Sequence, residues 1–476
     1  MVFHPYCSGQ AGCRLGQSPA FGRGGRTIAA GARVEAIVSG TVDPALARQV
    51  AAAAEAWGVP GLAVALAAPG RRALLLHGEI VPGSGRPVTA DSWFSCASMG
   101  KHVTAAAVLE LARDGRLDLQ APVGRYLADL PPAWAQCTVG SLLRHTAGLP
   151  EYLAHTAGQP VPATRAAFVR AYGALAPVFP EGQAWMYSNT HYILAGFLVA
   201  QLGGRSYADA VHALFERAGV QGAAVGGPQW ARQVNEEGAG RVATDAESAE
   251  REVIGDGDVA FTPRGALAWL EALLEGRVPG LAGDCEMLRP TTFASGRPSG
   301  YGCGWFLERT QGRLFAHHAG HFDGWTALAL LDLQGGCGAI AMCNAAPGHS
   351  RWIRHLGQLA LEGFAPGSTP LAVPAREDDR PELGRRIRAQ LLRRPGEQPD
   401  PGFLAQELRA LTEPGAAARP LINLWAGVEP TAFEFVEAYA HATGMLRRYR
   451  IRYGDRTEHV QVGLTPDERL YWVWGL

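Results

Sequence analysis

Hydrophobic and polar residues follow one another along the chain in segments that predict helices and strands. A Gly/Ala-rich stretch with little periodicity fills the first forty residues. The elements predicted after it are a helix at Pro44–Trp57, two strands of a hairpin at Gly61–Ala68 and Arg71–Ile80, and a mostly apolar helix at Ser98–Arg113. Residues 120–290 are predicted to be mainly helical, with loops marked by glycine and proline.

Strand patterns return after residue 300. The predicted strands are Tyr301–Leu307, Arg313–His317, Trp325–Asp332 and Gly338–Cys343, and an amphipathic helix follows at Ser350–Leu361. A hairpin, a long helical middle and further antiparallel strands predict one sheet assembled from both ends of the domain. The predicted fold class is therefore α/β (α+β), an antiparallel β-sheet flanked by helices with a helical insert.

The end of the chain has a pattern of its own. Residues 366–379 are rich in proline and charge, which is typical of a linker. Beyond them the chain is predicted to be helical to residue 412 and then to form a meander of alternating apolar and polar residues. We therefore predict an irregular lead-in (residues 1–40), a main domain (41–365), a linker (366–379) and a small α+β domain of unknown role (380–476).

Composition narrows the classes of function and location. The formal net charge of −1 gives no long-range field for a polyanion, so we expect no nucleic-acid partner. The eight scattered cysteines lack metal-ligand spacing and indicate reduced thiols. No apolar run reaches the ~18–20 residues of a membrane span, and the first 30 residues lack the apolar core of a secretory signal. The sequence as written predicts a cytoplasmic protein, or a periplasmic or secreted one if the true start differs.

A single lysine stands among the 43 basic residues, and it is Lys101. Arginine serves as well as lysine for surface charge, but it cannot be deprotonated in a protein. A lone lysine is therefore a candidate for a task that needs a neutral amine, although the chance survival of one surface lysine is the simpler alternative.

The neighbours of this lysine favour the chemical interpretation. Ser98 precedes Lys101 by three residues at a predicted helix start, which places the hydroxyl and the amine on one helix face within hydrogen-bond reach. A serine hydroxyl needs a base before it can attack, and a lysine can be that base if burial and a helix N-terminus lower its pKa. This spacing predicts a serine nucleophile activated by lysine.

Two further motifs carry polar groups suited to the same chemistry. Tyr187 and Asn189 lie in a turn-like stretch before a predicted helix, where the tyrosine could share proton transfer and the amide could hold the lysine or a substrate carbonyl. A packed tyrosine and a helix cap are the alternative interpretation. His318 and Gly320 lie at the end of a predicted strand, whose edge can supply a backbone N–H to an oxyanion.

A metal site is the competing interpretation of the histidine-rich stretch. His317, His318, His321 and Asp323 fall within seven residues. Adjacent residues of a strand point to opposite faces, however, and no partner cluster or HExxH motif occurs elsewhere in the sequence. We therefore expect no metal ion and no other cofactor.

Together these motifs resemble the serine β-lactamase and penicillin-binding-protein superfamily, specifically its class C-like branch. The resemblance covers about residues 45–363. The segments that carry it, besides Ser98–Lys101 and Tyr187–Thr190, are Pro87–Phe94 (PVTADSWF), Gly115–Leu119 (GRLDL), Leu142–Pro150 (LLRHTAGLP, similar to the branch's LLxHTSGLP) and Tyr301–Trp305 (YGCGW).

The resemblance implies a role for each site residue. It makes Ser98 the nucleophile, Lys101 and Tyr187 the proton-transfer pair, and Asn189 an anchor for the lysine and the substrate. It also implies an oxyanion hole built from the backbone N–H groups of Ser98 and His321. The substrate would be a small molecule or a peptide with an acyl group, and the oligomeric state stays open.

The third motif limits the predicted function. β-Lactamases and many DD-peptidases of the superfamily have K-T-G where this chain has His318-Ala319-Gly320, which is more similar to the branch's esterases, D-amino-acid peptidases and acyltransferases. A histidine makes recognition of a substrate carboxylate less assured. We rank ester or amide hydrolysis first, acyl transfer or peptide cyclisation second and β-lactam hydrolysis third. A non-catalytic penicillin-binding-like sensor is the alternative of another class, and the complete set of Ser98, Lys101 and Tyr187 argues against it.

Overall fold

The computed structural model describes residues 43–225, 251–281, 285–322, 324–345, 350–369, 373–394, 397–411, 429–454 and 456–475, so the predicted lead-in lies outside it. The α-helices of these residues are α1 (Pro44–Ala56), α2 (Lys101–Arg113), α3 (Pro132–Ala135), α4 (Val139–Leu143), α5 (Arg165–Tyr172), α6 (Asn189–Gly203), α7 (Tyr207–Arg217), α8 (Pro263–Leu274), α9 (Ser350–Phe364), α10 (Pro381–Leu391) and α11 (Gln406–Arg409). The strands are β1 (Gly61–Ala68), β2 (Arg71–Gly78), β3 (Phe94–Ser95), β4 (Ala223–Val225), β5 (Val259–Phe261), β6 (Phe306–Thr310), β7 (Arg313–Phe322), β8 (Trp325–Asp332), β9 (Cys337–Cys343), β10 (Ala432–His441), β11 (Gly444–Tyr453), β12 (Arg456–Leu464) and β13 (Leu470–Gly475).

The main sheet joins distant parts of the chain. Its six strands lie in the order β2-β1-β9-β8-β7-β6, and all neighbours are antiparallel. Ala65 on β1 lies opposite Leu74 on β2 and opposite Ile340 on β9. The helices between β2 and β6 form the insert, and the predicted fold class is confirmed.

Strand β1 is buried on both faces, and its two sets of side chains serve two cores. Leu62, Val64 and Leu66 pack on the face covered by α1 and α9. The alanines between them belong to the larger core on the other face, where α8 contacts the strand. Because successive side chains of a strand point to opposite faces, the large and small residues alternate.

Several predicted boundaries near the motifs differ from the observed ones. The strand predicted from Tyr301 begins at Phe306, because Gly304 has a φ of +77° and turns the chain before it. The strand predicted to end at His317 continues to Phe322. The helix predicted from Ser98 starts with a 3₁₀ turn over Ala97–Gly100.

The C-terminal residues form a second antiparallel sheet in the order β10-β11-β12-β13, with α10 beside it. The meander of β11, β12 and β13 agrees with the sequence pattern. Strand β10 is present in the structure but is not predicted by the sequence pattern. A bulge between Phe435 and Glu437 shifts its register against β11, which changes the phase of the apolar alternation within the strand.

The second sheet shares a hydrophobic core with the segment before the Tyr187–Asn189 motif. Phe179, Ala184 and Met186, which precede Tyr187, pack in one core with side chains of α10 and of the C-terminal strands. The buried guanidinium of Arg448 on β11 forms an ion pair with Glu308 on β6. The proposed division at residues 366–379 stays a prediction, but the C-terminal sheet is in direct contact with the main domain.

Candidate active site

Ser98 and Lys101 lie at the junction between β3 and α2. The Lys101 amine donates a hydrogen bond of 3.0 Å to the Ser98 hydroxyl. Ala97, directly before the serine, has a φ of +44°, which is uncommon for a residue with a Cβ. This conformation turns the chain sharply from the strand into the 3₁₀ turn, so that the serine side chain stands at the beginning of the helix.

The amine of Lys101 is enclosed by polar acceptors. The residue is fully buried, and its amine donates to the side-chain oxygen of Asn189 at 2.7 Å and to the backbone carbonyl of Asp256. Burial lowers the pKa of this amine to about 8, since the charged form loses its hydration. A lysine with this pKa is neutral often enough near neutral pH to accept a proton.

Three acidic residues around the lysine were not singled out in the sequence. Asp256, Glu151 and Asp258 all raise the pKa of Lys101 and so oppose the effect of burial. Burial raises the pKa of Glu151 to about 7 and that of Asp258 to about 6. Together these carboxyl groups give the lysine end of the site a negative character.

The sequence around Asp256 and Asp258 contains a pattern that points to a tight loop. The two aspartates alternate with Gly255 and Gly257. A Cβ on Gly257 would lie 3.0 Å from the backbone carbon of Ala97. The glycine therefore lets this loop approach the residue before the nucleophile, and it brings the neighbouring aspartates with it.

Tyr187 lies beside the serine and the lysine. Its hydroxyl interacts with Ser98, and the Lys101 amine lies 4.9 Å from the centre of its ring. Burial raises the pKa of the Tyr187 hydroxyl well above its usual value. The phenol therefore keeps its proton in the resting site and can donate it when a leaving group develops negative charge.

Asn189 is held by the start of α6. It is the first residue of the helix, and its backbone N–H donates to the carboxylate of Glu151 at 2.7 Å. Ser188 before it donates its hydroxyl to the backbone carbonyl of Pro150 at 3.0 Å. The end of the segment Leu142–Pro150 and the next residue, Glu151, thus anchor the Tyr187–Asn189 turn.

Gly320 brings β7 against the nucleophile. A Cβ at this position would lie 2.0 Å from the carbonyl oxygen of Cys96 and 2.9 Å from the backbone nitrogen of Ser98. No other residue type fits without moving one of these backbones. The backbone of β7 is consequently in close contact with the backbone that carries the nucleophile. An oxyanion cleft between this strand edge and the serine N–H stays a prediction.

His318 supplies no positive charge to the site. It is buried, and its Nδ1 lies 2.7 Å from the carbonyl oxygen of Ala319. Because a carbonyl only accepts, Nδ1 carries the proton and Nε2 accepts from the Tyr301 hydroxyl at 3.1 Å. Burial lowers the pKa of His318 well below its usual value, so the ring stays neutral behind the tyrosines.

His321 follows on the same strand and pairs with Thr326 on β8. The neighbouring strand β6 pairs with β7 only as far as His317. The edge of β7 from His318 onward is therefore not covered by β6 and faces the nucleophile. The role of the His321 N–H as an oxyanion donor stays a prediction.

The structure thus brings Ser98, Lys101, Tyr187, Asn189 and Gly320 together, and it places His318 one layer behind them.

Over the described ranges, no group of three or more histidine, cysteine or acidic side chains is arranged to hold a metal ion. Asp323, one of the four residues in the metal interpretation, lies outside these ranges. In the same part of the chain no helix has both the length and the apolar character needed to cross a membrane.

The chain is similar to a known family and to several known proteins. Residues 46–363 match the family described as "Beta-lactamase". The chain is 27% identical over 259 residues to penicillin-binding protein 4* of Bacillus subtilis (strain 168), a match that covers 49% of this chain and 57% of that protein. It is 34% identical over 164 residues to esterase EstB of Burkholderia gladioli, covering 29% of this chain and 42% of the esterase. The matches therefore span only about half the length of these two relatives.

The fold is similar to that of an enzyme of known structure. The D-amino acid amidase from Ochrobactrum anthropi SV3, solved in complex with L-phenylalanine, superimposes with a TM-score of 0.55 at 25% sequence identity. The match covers 67% of this chain and 98% of the amidase.

Proposed function

The chain belongs to the Beta-lactamase family, and we propose that it is a serine hydrolase that forms an acyl-enzyme on Ser98. The family membership confirms the resemblance inferred from the sequence motifs. The observation that carries the proposal is the hydrogen bond of 3.0 Å between the Ser98 hydroxyl and the buried amine of Lys101. A buried amine with a lowered pKa beside a serine is the arrangement needed to activate that serine.

In the proposed acylation step, neutral Lys101 takes the proton of Ser98 while the serine oxygen attacks the substrate carbonyl. The N–H of Ser98 and the edge of β7 at Gly320 support the oxyanion that forms. Tyr187 then gives its proton to the leaving alcohol or amine and is reprotonated from the Lys101 ammonium. The bond to the leaving group breaks, and the acyl group remains on the serine.

Deacylation uses the same groups in reverse. A water molecule replaces the leaving group, and it loses a proton to the Lys101–Tyr187 pair as its oxygen attacks the acyl carbon. The tetrahedral intermediate collapses, Ser98 recovers a proton, and the carboxylic acid leaves. An amine or alcohol in place of water would give acyl transfer from the same intermediate.

We propose an uncharged or amine-bearing ester or amide as the substrate. The neutral, buried His318 supports this choice, because it offers no positive charge to a substrate carboxylate. The acidic residues Glu151, Asp256 and Asp258 act on the same site and would repel an anion while attracting an ammonium group. The names of the relatives, an esterase and a D-amino acid amidase, support the same substrate class.

The experiment that tests the function compares substrates on one enzyme preparation. A short-chain p-nitrophenyl ester, a D-amino-acid amide and a chromogenic cephalosporin are assayed side by side, with Ser98→Ala as the control. We expect ester or amide turnover to exceed cephalosporin turnover and all turnover to depend on Ser98. Faster hydrolysis of the cephalosporin than of every ester and amide would reverse the substrate ranking, and activity that persists in Ser98→Ala would remove the nucleophile.

A further inference from the structure

The C-terminal strand β13 forms a wall beside the candidate active site. Trp472 and Trp474 of this strand are buried, with 3% and 6% of their surface exposed. They belong to one aromatic cluster with Trp185 and Tyr187. The family match ends at residue 363, so this wall lies outside the matched part of the chain.

Trp472 packs against the segment that leads to Tyr187. Its ring meets that of Trp185 edge to face, with 5.2 Å between the ring centres. A Cβ on Gly300 would lie 2.6 Å from atoms of the Trp472 ring, so the glycine makes room for the tryptophan. Trp185 lies two residues before Tyr187, and the centres of their rings are 6.5 Å apart, so Trp472 borders the segment that carries the tyrosine.

Trp474 packs against the strand that carries the third motif. Its indole N–H donates to Nε2 of His317 at 3.1 Å. Its ring stacks on Phe306, with ring centres 3.4 Å apart, and Phe306 in turn lies beside His318 at 5.3 Å. The hydrogen bond holds the His317 ring on β7 in one orientation. Because the same tryptophan also stacks on Phe306 of β6, it bridges these two neighbouring strands.

We propose that β13 is a positioning element of the catalytic site, with Trp472 holding the Tyr187 segment and Trp474 holding the strand that carries His318 and Gly320. The inference rests on the proposed role of Ser98 as nucleophile. Rigid aromatic side chains suit this task, since catalytic groups must be held to within a fraction of an ångström.

The test uses point variants of the full chain and an ester that acylates Ser98. Trp474→Phe keeps a smaller aromatic ring in the stack and removes the N–H donor, and we expect acylation to slow roughly fivefold, as for the loss of one hydrogen bond. Trp472→Ala leaves a gap beside Trp185, and we expect a loss of roughly 100-fold in the acylation rate with little change in KM. Trp472→Phe should recover most of that loss.

Trp134 provides the matched control. It is fully buried in α3, donates its indole N–H to the Leu175 carbonyl at 3.0 Å, and belongs to a core cluster that does not include Tyr187. Trp134→Phe and Trp134→Ala should lower the melting temperature without lowering the acylation rate of the folded enzyme.

Two results would overturn the inference. One is acylation within about twofold of wild type in both folded β13 variants. The other is an equal loss of acylation in Trp134 variants of equal melting temperature. If Trp472→Ala does not fold, Trp474→Phe decides the matter alone. A wild-type enzyme that is not labelled at Ser98 would instead contradict the proposed function itself.

Discussion

The amide oxygen of Asn189 accepts a hydrogen bond of 2.7 Å from the amine of Lys101. Each of these residues is the first of its helix, α6 and α2 respectively. The hydrogen bond therefore joins the starts of two helices. Burial disfavours the charged form of the lysine, whereas the nearby carboxylates favour it. The balance of these effects decides whether the amine can serve as a base.

The first prediction concerns the chemical identity of this base. Lys101→Arg should be nearly as damaging to acylation as Lys101→Ala, although it keeps the charge, because an arginine stays protonated. The expected loss is roughly 10²–10⁴-fold, or about 3–5 kcal/mol of transition-state stabilisation. The measurement is the acylation rate of Ser98 in both variants, with circular dichroism to confirm folding. Arginine activity within about tenfold of wild type would show that the residue supplies charge alone.

The second prediction is the pH dependence of acylation. The neutral amine is the active form, and its pKa is lowered to about 8, so the rate should rise with pH and level off above that value. The measurement is single-turnover acylation by an uncharged ester between pH 6 and 10. A rate that falls over this range would contradict a neutral lysine base.

The third prediction moves this pH profile with one substitution. The Asp256 carboxylate stabilises the Lys101 ammonium, so Asp256→Asn should lower the lysine pKa and shift the rise of the rate to lower pH. Asp91→Asn is the matched control, because Asp91 is an exposed acid paired with Arg264 on the surface. The same profile in all three proteins would mean that Asp256 does not act on the base.

The fourth prediction tests the close approach of β7 to the nucleophile. Gly320→Ala should reduce covalent labelling of Ser98 by at least roughly 100-fold, because the added methyl group enters the space between Cys96 and the serine N–H. Gly203→Ala is the control, since a Cβ there meets only a flexible arginine side chain at 3.6 Å. Unchanged labelling in folded Gly320→Ala would remove the proposed oxyanion cleft.

The fifth prediction concerns proton delivery. Tyr187→Phe keeps the ring that contacts the lysine and removes the hydroxyl that interacts with Ser98. Acylation by an amide should fall roughly 10²–10⁴-fold. An ester with a good leaving group needs less protonation and should lose less. Equal losses for both substrates would argue that the hydroxyl only orients the serine.

Local sequence patterns were sufficient to predict most of the fold and the Ser98–Lys101 pair of the site. The hairpin of β1 and β2 and the strands after residue 300 follow from short apolar runs bounded by turn residues. The C-terminal meander follows from the alternation of apolar and polar residues. The pairing of Ser98 with Lys101 follows from a spacing of three residues at a helix start, which the helix geometry converts into a short distance.

What depended on distant segments could be decided only by the tertiary structure. The lowered pKa of Lys101 arises from burial, which the acids at residues 151, 256 and 258 partly offset, and no local spacing connects these acids to the lysine. The neutrality of His318 follows from its burial and its hydrogen bond with Tyr301, and the placement of Trp472 beside Trp185 follows from the docking of the C-terminal sheet. Desolvation and packing are properties of the folded assembly of segments, whereas periodicity and spacing are properties of the chain.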